Sequence, residues 1–128
     1  MWHSDLHKRK PTGGKRRPYR KHRKFEKGGF PVEPVIGPEE RVIDRVRGGN
    51  VKIRLKAAEM VQVSNPKTGK TQPAKLIRVI KNPASVEYSR RGVLTKGAIV
   101  ETSLGLAKIT SRPSQNGVLN AVLIEEKG

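Results

Sequence analysis

The chain has no cysteine, which excludes a disulfide framework and a thiolate metal site and fits a reducing cytosol or nucleus. No apolar run approaches the roughly 20 residues that span a bilayer. Met1 to Arg20 also lacks the apolar segment, about 7 to 15 residues long, that marks a signal peptide. Neither secretion nor membrane insertion is expected, and the mature chain is expected to be the whole chain. Acidic residues are few, 11 against 28 lysines and arginines, so the formal charge is +17. Self-repulsion at that charge opposes compaction unless a polyanion neutralises it. The 128 residues leave room for one domain of the usual size.

Charge and apolar residues are placed in opposite parts of the chain. The first 30 residues contain no valine or isoleucine, yet carry eleven lysines and arginines against Asp5 and Glu26, a net +9. The other 98 residues spread +8 over three times that length and are rich in both aliphatics. A segment with no valine or isoleucine cannot supply its own core, so the beginning of the chain is predicted to be an extended basic arm built to lie against phosphate. Its candidate contacts are His7, Lys8, Arg9, Lys10, Lys15, Arg16, Arg17, Tyr19, Arg20, Lys21, His22, Arg23 and Lys24. Four of the five aromatic residues, Trp2, Tyr19, Phe25 and Phe30, also fall here. Flat rings between cations suit base stacking, the alternative being that each ring anchors the arm to its own domain. Gly13-Gly14 and Gly28-Gly29 let the backbone follow a narrow path. Pro31, Pro34 and Pro38 read as an extended connector. The division is therefore arm and connector over 1–38 and a small β domain over 39–128.

In that domain Val51 to Lys56 alternates apolar with cationic residues, which predicts a strand with three apolar side chains on one face. The β-branched run Arg41 to Arg47 precedes it, and Gly48-Gly49-Asn50 between them predicts a hairpin. Further strands are predicted at 58–63, 74–81, 98–102, 106–110 and 118–124, with turn residues between them. Only Ala84 to Arg91 suggests a short helix. The fold class is all-β, predominantly antiparallel, a barrel or sandwich. Basic positions on it, Arg45, Arg47, Lys52, Arg54, Lys67, Lys70, Arg90 and Arg91, are candidates to extend the RNA-binding surface or to be ordinary surface charge.

Other motifs point elsewhere and fail on context. Lys67-Thr68-Gly69-Lys70-Thr71 looks like the end of a phosphate-binding loop. Its first glycine would fall at Ser64, and it lies between strands where a nucleotide site needs a helix start, so a basic hairpin tip is expected. His3 and His7 have a zinc-site spacing without the glutamate and third ligand that would complete one. The carboxylates are scattered with no nucleophile and base arrangement, so no enzyme, cofactor or small-molecule substrate is expected. The run 15–24 is chemically similar to nuclear-import and heparin-binding clusters as well as to RNA-binding arms, and does not choose among them. A chromatin-type DNA binder is the main rival, although such a protein usually presents an element shaped for a groove.

His7-Lys8-Arg9-Lys10-Pro11-Thr12-Gly13-Gly14-Lys15, followed by Lys21 to Glu26, closely resembles the signature of the e-type family of ribosomal protein eight of the small subunit, found in eukaryotes and archaea. Ile36-Gly37-Pro38, Arg45 to Asn50, Asn82-Pro83-Ala84, Tyr88 to Arg91, Leu94 to Val100 and Thr110 to Pro113 fall where further family blocks are expected. The lack of a long insertion between strands resembles archaeal members. Lys27-Gly28-Gly29 departs from relatives, which often have an apolar residue, glycine and a basic residue after the glutamate. The resemblance implies a β-barrel-like domain with an N-terminal extension along small-subunit ribosomal RNA. It also implies neighbouring ribosomal proteins as partners and a place in the cytoplasmic small subunit.

Overall fold

Strands β4 (Met60–Asn65), β5 (Lys70–Lys81), β6 (Ile99–Thr102), β7 (Gly105–Ile109) and β8 (Asn120–Glu126) form a closed barrel in that order. This is a computed structural model, and it describes residues 1–126. The all-β expectation holds. Successive strands run antiparallel, so the first and last of five point the same way and close the barrel as a parallel pair, Gln62 opposite Asn120 and Val63 opposite Ala121. An odd number of strands leaves no antiparallel closure.

The barrel interior follows the two-residue period of its strands. Val61 and Val63, Ala74 and Leu76, Ala107 and Ile109, and Ala121 and Leu123 are buried, while the residues between them face outward. Leu94, Ala98, Val100 and Leu119 also belong to the core.

A second sheet is built from β1 (Val35–Ile36), β2 (Glu40–Arg45) and β3 (Val51–Ala58), with β3 in the middle. The predicted hairpin is there: β2 and β3 pair antiparallel, and a 3-10 turn over Arg47–Gly49 joins them with Gly48 at φ +78°. The predicted apolar face of β3 is only partly buried. Leu55 enters the core, but Val51 and Ile53 remain exposed, because only the end of β3 from Leu55 onward reaches the barrel interior.

The short helix α1 (Val86–Arg91) lies where one was expected, with the Ser85 hydroxyl accepting the Glu87 N–H at its start and Gly92 in the left-handed conformation at its end. A second helix, α2 (Pro113–Asn116), was not foreseen. It is one turn, begun by a proline whose missing N–H costs nothing there and stopped by Gly117 at φ +71°.

The chain divides into two compact units, Met1–Pro31 and Val32–Gly128. Val32 to Pro38 falls in the second, since Val35 and Ile36 pair with β3 and the Pro34 carbonyl accepts the Leu94 N–H at 2.8 Å.

Within the first unit the backbone turns back on itself, unlike the extended arm that its composition predicts. The Gly28 N–H donates to the Met1 carbonyl at 2.7 Å and the His3 N–H to the Glu26 carbonyl at 2.7 Å, which sets Trp2 opposite Lys27. A smaller turn holds Arg9 opposite Lys15, closed by Lys10 N–H to Gly14 carbonyl and Gly13 N–H to Lys10 carbonyl, both 2.9 Å. Backbone hydrogen bonds do the work that aliphatics do elsewhere. The single aliphatic residue, Leu6, is buried.

Candidate nucleic-acid interface

The first unit is organised around the carboxylate of Glu26, which is 93 % shielded from solvent. A 3-10 turn over Lys24–Glu26 carries it, and the Arg23 N–H donates to its Oε2 at 3.2 Å. The Arg20 guanidinium pairs with Oε1. Nδ1 of His22 lies 3.0 Å from the Ser4 hydroxyl and 3.8 Å from Glu26 Oε2. The imidazole of His22 stacks on Trp2 with ring centres 4.7 Å apart and planes 15° from parallel, and His7 is 5.0 Å away. His22, a candidate RNA contact from the sequence, is given two rings and a carboxylate by the fold.

The hydrogen bond from Arg20 holds Glu26 below the usual carboxylate range, partly opposed by desolvation and helped by the Arg23 N–H, and Glu26 in turn raises Arg20. A depressed folded pKa means that the carboxylate stabilises the unit above its ordinary pKa and that this contribution is lost as pH falls through the lower, folded value. Acid titration followed by the fluorescence of Trp2, the sole tryptophan, is therefore expected to show a transition below the ordinary carboxylate pKa of about 4.3. Glu26→Gln should show altered fluorescence already at neutral pH and no acid transition. An unchanged acid transition in that variant would contradict the assignment.

The cations proposed for RNA divide into engaged and free. Arg20 is committed to Glu26, Lys8 lies 3.6 Å from Asp5, and Arg9 donates to the Gly13 carbonyl at 3.0 Å. The side chains of Lys10, Lys15, Arg16, Arg17, Lys21, Arg23 and Lys24 are exposed and have no partner among the described residues. Tyr19 is exposed, with the Arg20 guanidinium 5.5 Å from its ring centre.

In the second unit every acid whose side chain is described is ion-paired. Glu33 takes Arg91, Glu39 takes Arg41, Glu40 takes Lys56, Asp44 takes Arg54, Glu59 takes Lys75, Glu87 takes Arg90 and Glu101 takes Arg78. Three of the candidates, Arg54, Arg90 and Arg91, are thus satisfied internally, and Arg54 also donates to the Ser114 carbonyl. Arg45, Arg47, Lys52, Lys67 and Lys70 have unpaired side chains among the described residues.

Lys67 and Lys70 stand at the β4–β5 hairpin tip, where Gly69 has φ +68° and no helix follows, so the nucleotide-site geometry is missing. Sequence reading passed over four more unpaired cations: Lys81, Lys96, Lys108 and Arg112. Lys81, Ile99 and Lys108 occupy one cross-strand row, so the two lysines share a barrel face. The outward positions of the predicted strands were the available signal.

No group of three or more histidines or acids among the described residues could hold a metal, and no described helix is long and apolar enough to cross a membrane. The model for ribosomal protein S8e matches residues 3–124, spanning both units. The chain belongs to the ribosomal protein S8e family. It is 48% identical over 126 residues to a protein of Staphylothermus marinus named small ribosomal subunit protein eS8, covering 98% of each chain. Proteins of the same name from Methanospirillum hungatei and Nanoarchaeum equitans are 50% identical over 117 residues and 54% over 106. The first alignment covers 91% of this chain and 94% of the relative, the second 83% and 84%. These relatives are archaeal, as the short strand connections suggested. The family is one of structural ribosomal proteins, and the expectation of no enzymatic activity stands with it.

Proposed function

We propose that this structural ribosomal protein binds small-subunit ribosomal RNA through two sets of unpaired cations, in residues 10–24 of the first unit and on the barrel and hairpin turns of the second. Neighbouring proteins of the cytoplasmic small subunit would complete its surroundings. The observation that carries this reading is the ion-pair pattern. The described acids of the second unit are all matched, so none of them neutralises the remaining cations, and an external polyanion would do so. Neither set lies on a helix of groove-reading length, since α1 has six residues and α2 four. This favours folded RNA over duplex DNA.

Competition at matched salt tests the choice. A folded fragment of small-subunit ribosomal RNA is expected to displace labelled RNA at concentrations at least tenfold lower than duplex DNA of equal charge. Equal competition would sink the RNA reading in favour of a general polyanion binder.

A further inference from the structure

A recess of about 500 Å³ opens in the first unit, within the roughly 300–1,000 Å³ of sites that take small organic ligands. Tyr19 and Phe25 both line it and are 85% and 78% exposed, so two large rings stand in water. Phe25 is the middle residue of the Lys24–Glu26 turn, whose backbone is held by Glu26 N–H to Arg23 carbonyl at 3.0 Å and Lys27 N–H to Lys24 carbonyl at 3.2 Å. Tyr19 has the Arg20 guanidinium against its ring, and that guanidinium is fixed by Glu26. The backbone of one ring and the cationic neighbour of the other are therefore set in advance. Trp2 differs, because its face is already stacked on His22.

The charges on the same wall select the ligand. Asp5 and Glu26 are matched by Lys8 and Arg20, whereas Arg16 and Arg17 line the recess unpaired. An apolar protein side chain would cover the rings and leave both guanidiniums unmatched. A flat ring carrying an attached phosphate satisfies both requirements.

We infer that this recess seats one unstacked RNA nucleotide, its base against Tyr19 and Phe25 and its phosphate against Arg16 and Arg17. The inference rests on the RNA-binding reading above and gives it a single-nucleotide site. Every base offers a π-face, so stacking here is tolerant of sequence.

The test uses the full chain with two probes: a single-stranded RNA decamer of mixed sequence and a decamer with the same ribose-phosphate backbone but no bases. Fluorescence anisotropy at matched ionic strength is expected to show the base-bearing probe held about tenfold or more tightly. Tyr19→Ala and Phe25→Ala should each erode that preference, and the double variant should abolish it, all with an unchanged salt slope. Phe25→Tyr should keep it. The exposure of both rings means that these changes do not remove core packing. Equal affinity of the native protein for both probes, with a steep salt slope, overturns the base seat and leaves phosphate binding standing. A preference that survives the double variant overturns its location. A salt-independent affinity for both probes overturns the RNA-binding reading beneath it.

Discussion

Raising salt from 50 to 200 mM is expected to weaken binding to ribosomal RNA by about 10³ to 10⁵, the loss that follows when about ten phosphates are neutralised and their counterions released. The unpaired side chains of Lys10, Lys15, Arg16, Arg17, Lys21, Arg23 and Lys24, with Arg45, Arg47, Lys52, Lys67 and Lys70, are enough to meet that number. The division between paired and unpaired cations makes the prediction sharper than net charge alone. Replacing Arg16, Arg17, Lys21 and Lys24 by glutamine should flatten the slope by roughly one phosphate contact per residue. Replacing Arg78, whose Nε already donates to Glu101 at 2.7 Å, should leave it nearly unchanged. Filter-binding titrations over a series of salt concentrations would measure both. A flat salt response in the native protein would remove the electrostatic account altogether.

Deleting residues 1–30 is expected to leave a folded β domain that enters the small subunit poorly. The buried apolar cluster runs from Leu55 to Leu123 and draws no residue from the first unit. The barrel and the β1-β3-β2 sheet likewise use only residues from Val35 onward. The deletion removes eleven of the 28 lysines and arginines, among them the unpaired side chains of Lys10, Lys15, Arg16, Arg17, Lys21, Arg23 and Lys24, so affinity at low salt should fall on the order of 10³-fold or more. Thermal unfolding of the truncated protein followed by circular dichroism should remain cooperative. A truncated chain without a cooperative transition would show that the first unit is needed for the β domain to fold.

The strands of the barrel were legible because alternation is a local signal, and each of the five has one inward face lined by small or branched residues. Two kinds of feature were not. Pairing between distant segments leaves no local trace, so the parallel closure of β4 with β8 and the pairing of Val35–Ile36 with Ala57–Ala58 appear only in three dimensions. The alternation of Val51 to Lys56 correctly marked a strand, but periodicity does not say how far along it the core extends, and Val51 and Ile53 stayed exposed.

The candidate interface was partly legible for a related reason. Composition located the cations but not their partners. Arg91 and Glu33 are far apart in sequence, as are Arg78 and Glu101, and only the fold shows that these arginines are satisfied while Lys81 and Lys108 are not. The burial of Glu26 was similarly invisible, since a lone acid in a basic run reads as solvated charge until Arg20 and the Arg23 N–H are seen to close on it.

The parallel seam between β4 and β8 also sets an order of events during synthesis. Gln62 pairs with Pro73 on one side, but its partner on the other is Asn120, so the barrel stays open until β8 has emerged, and non-local pairings of this kind form slowly. The hydrogen bonds His3 to Glu26, Gly28 to Met1 and Lys10 to Gly14 join residues at most 27 apart and are available much sooner. A nascent chain therefore presents its most cationic part while its apolar strands are still unpaired, and capture of that part by RNA would hold the unfinished barrel beside its destination and away from other unfolded chains.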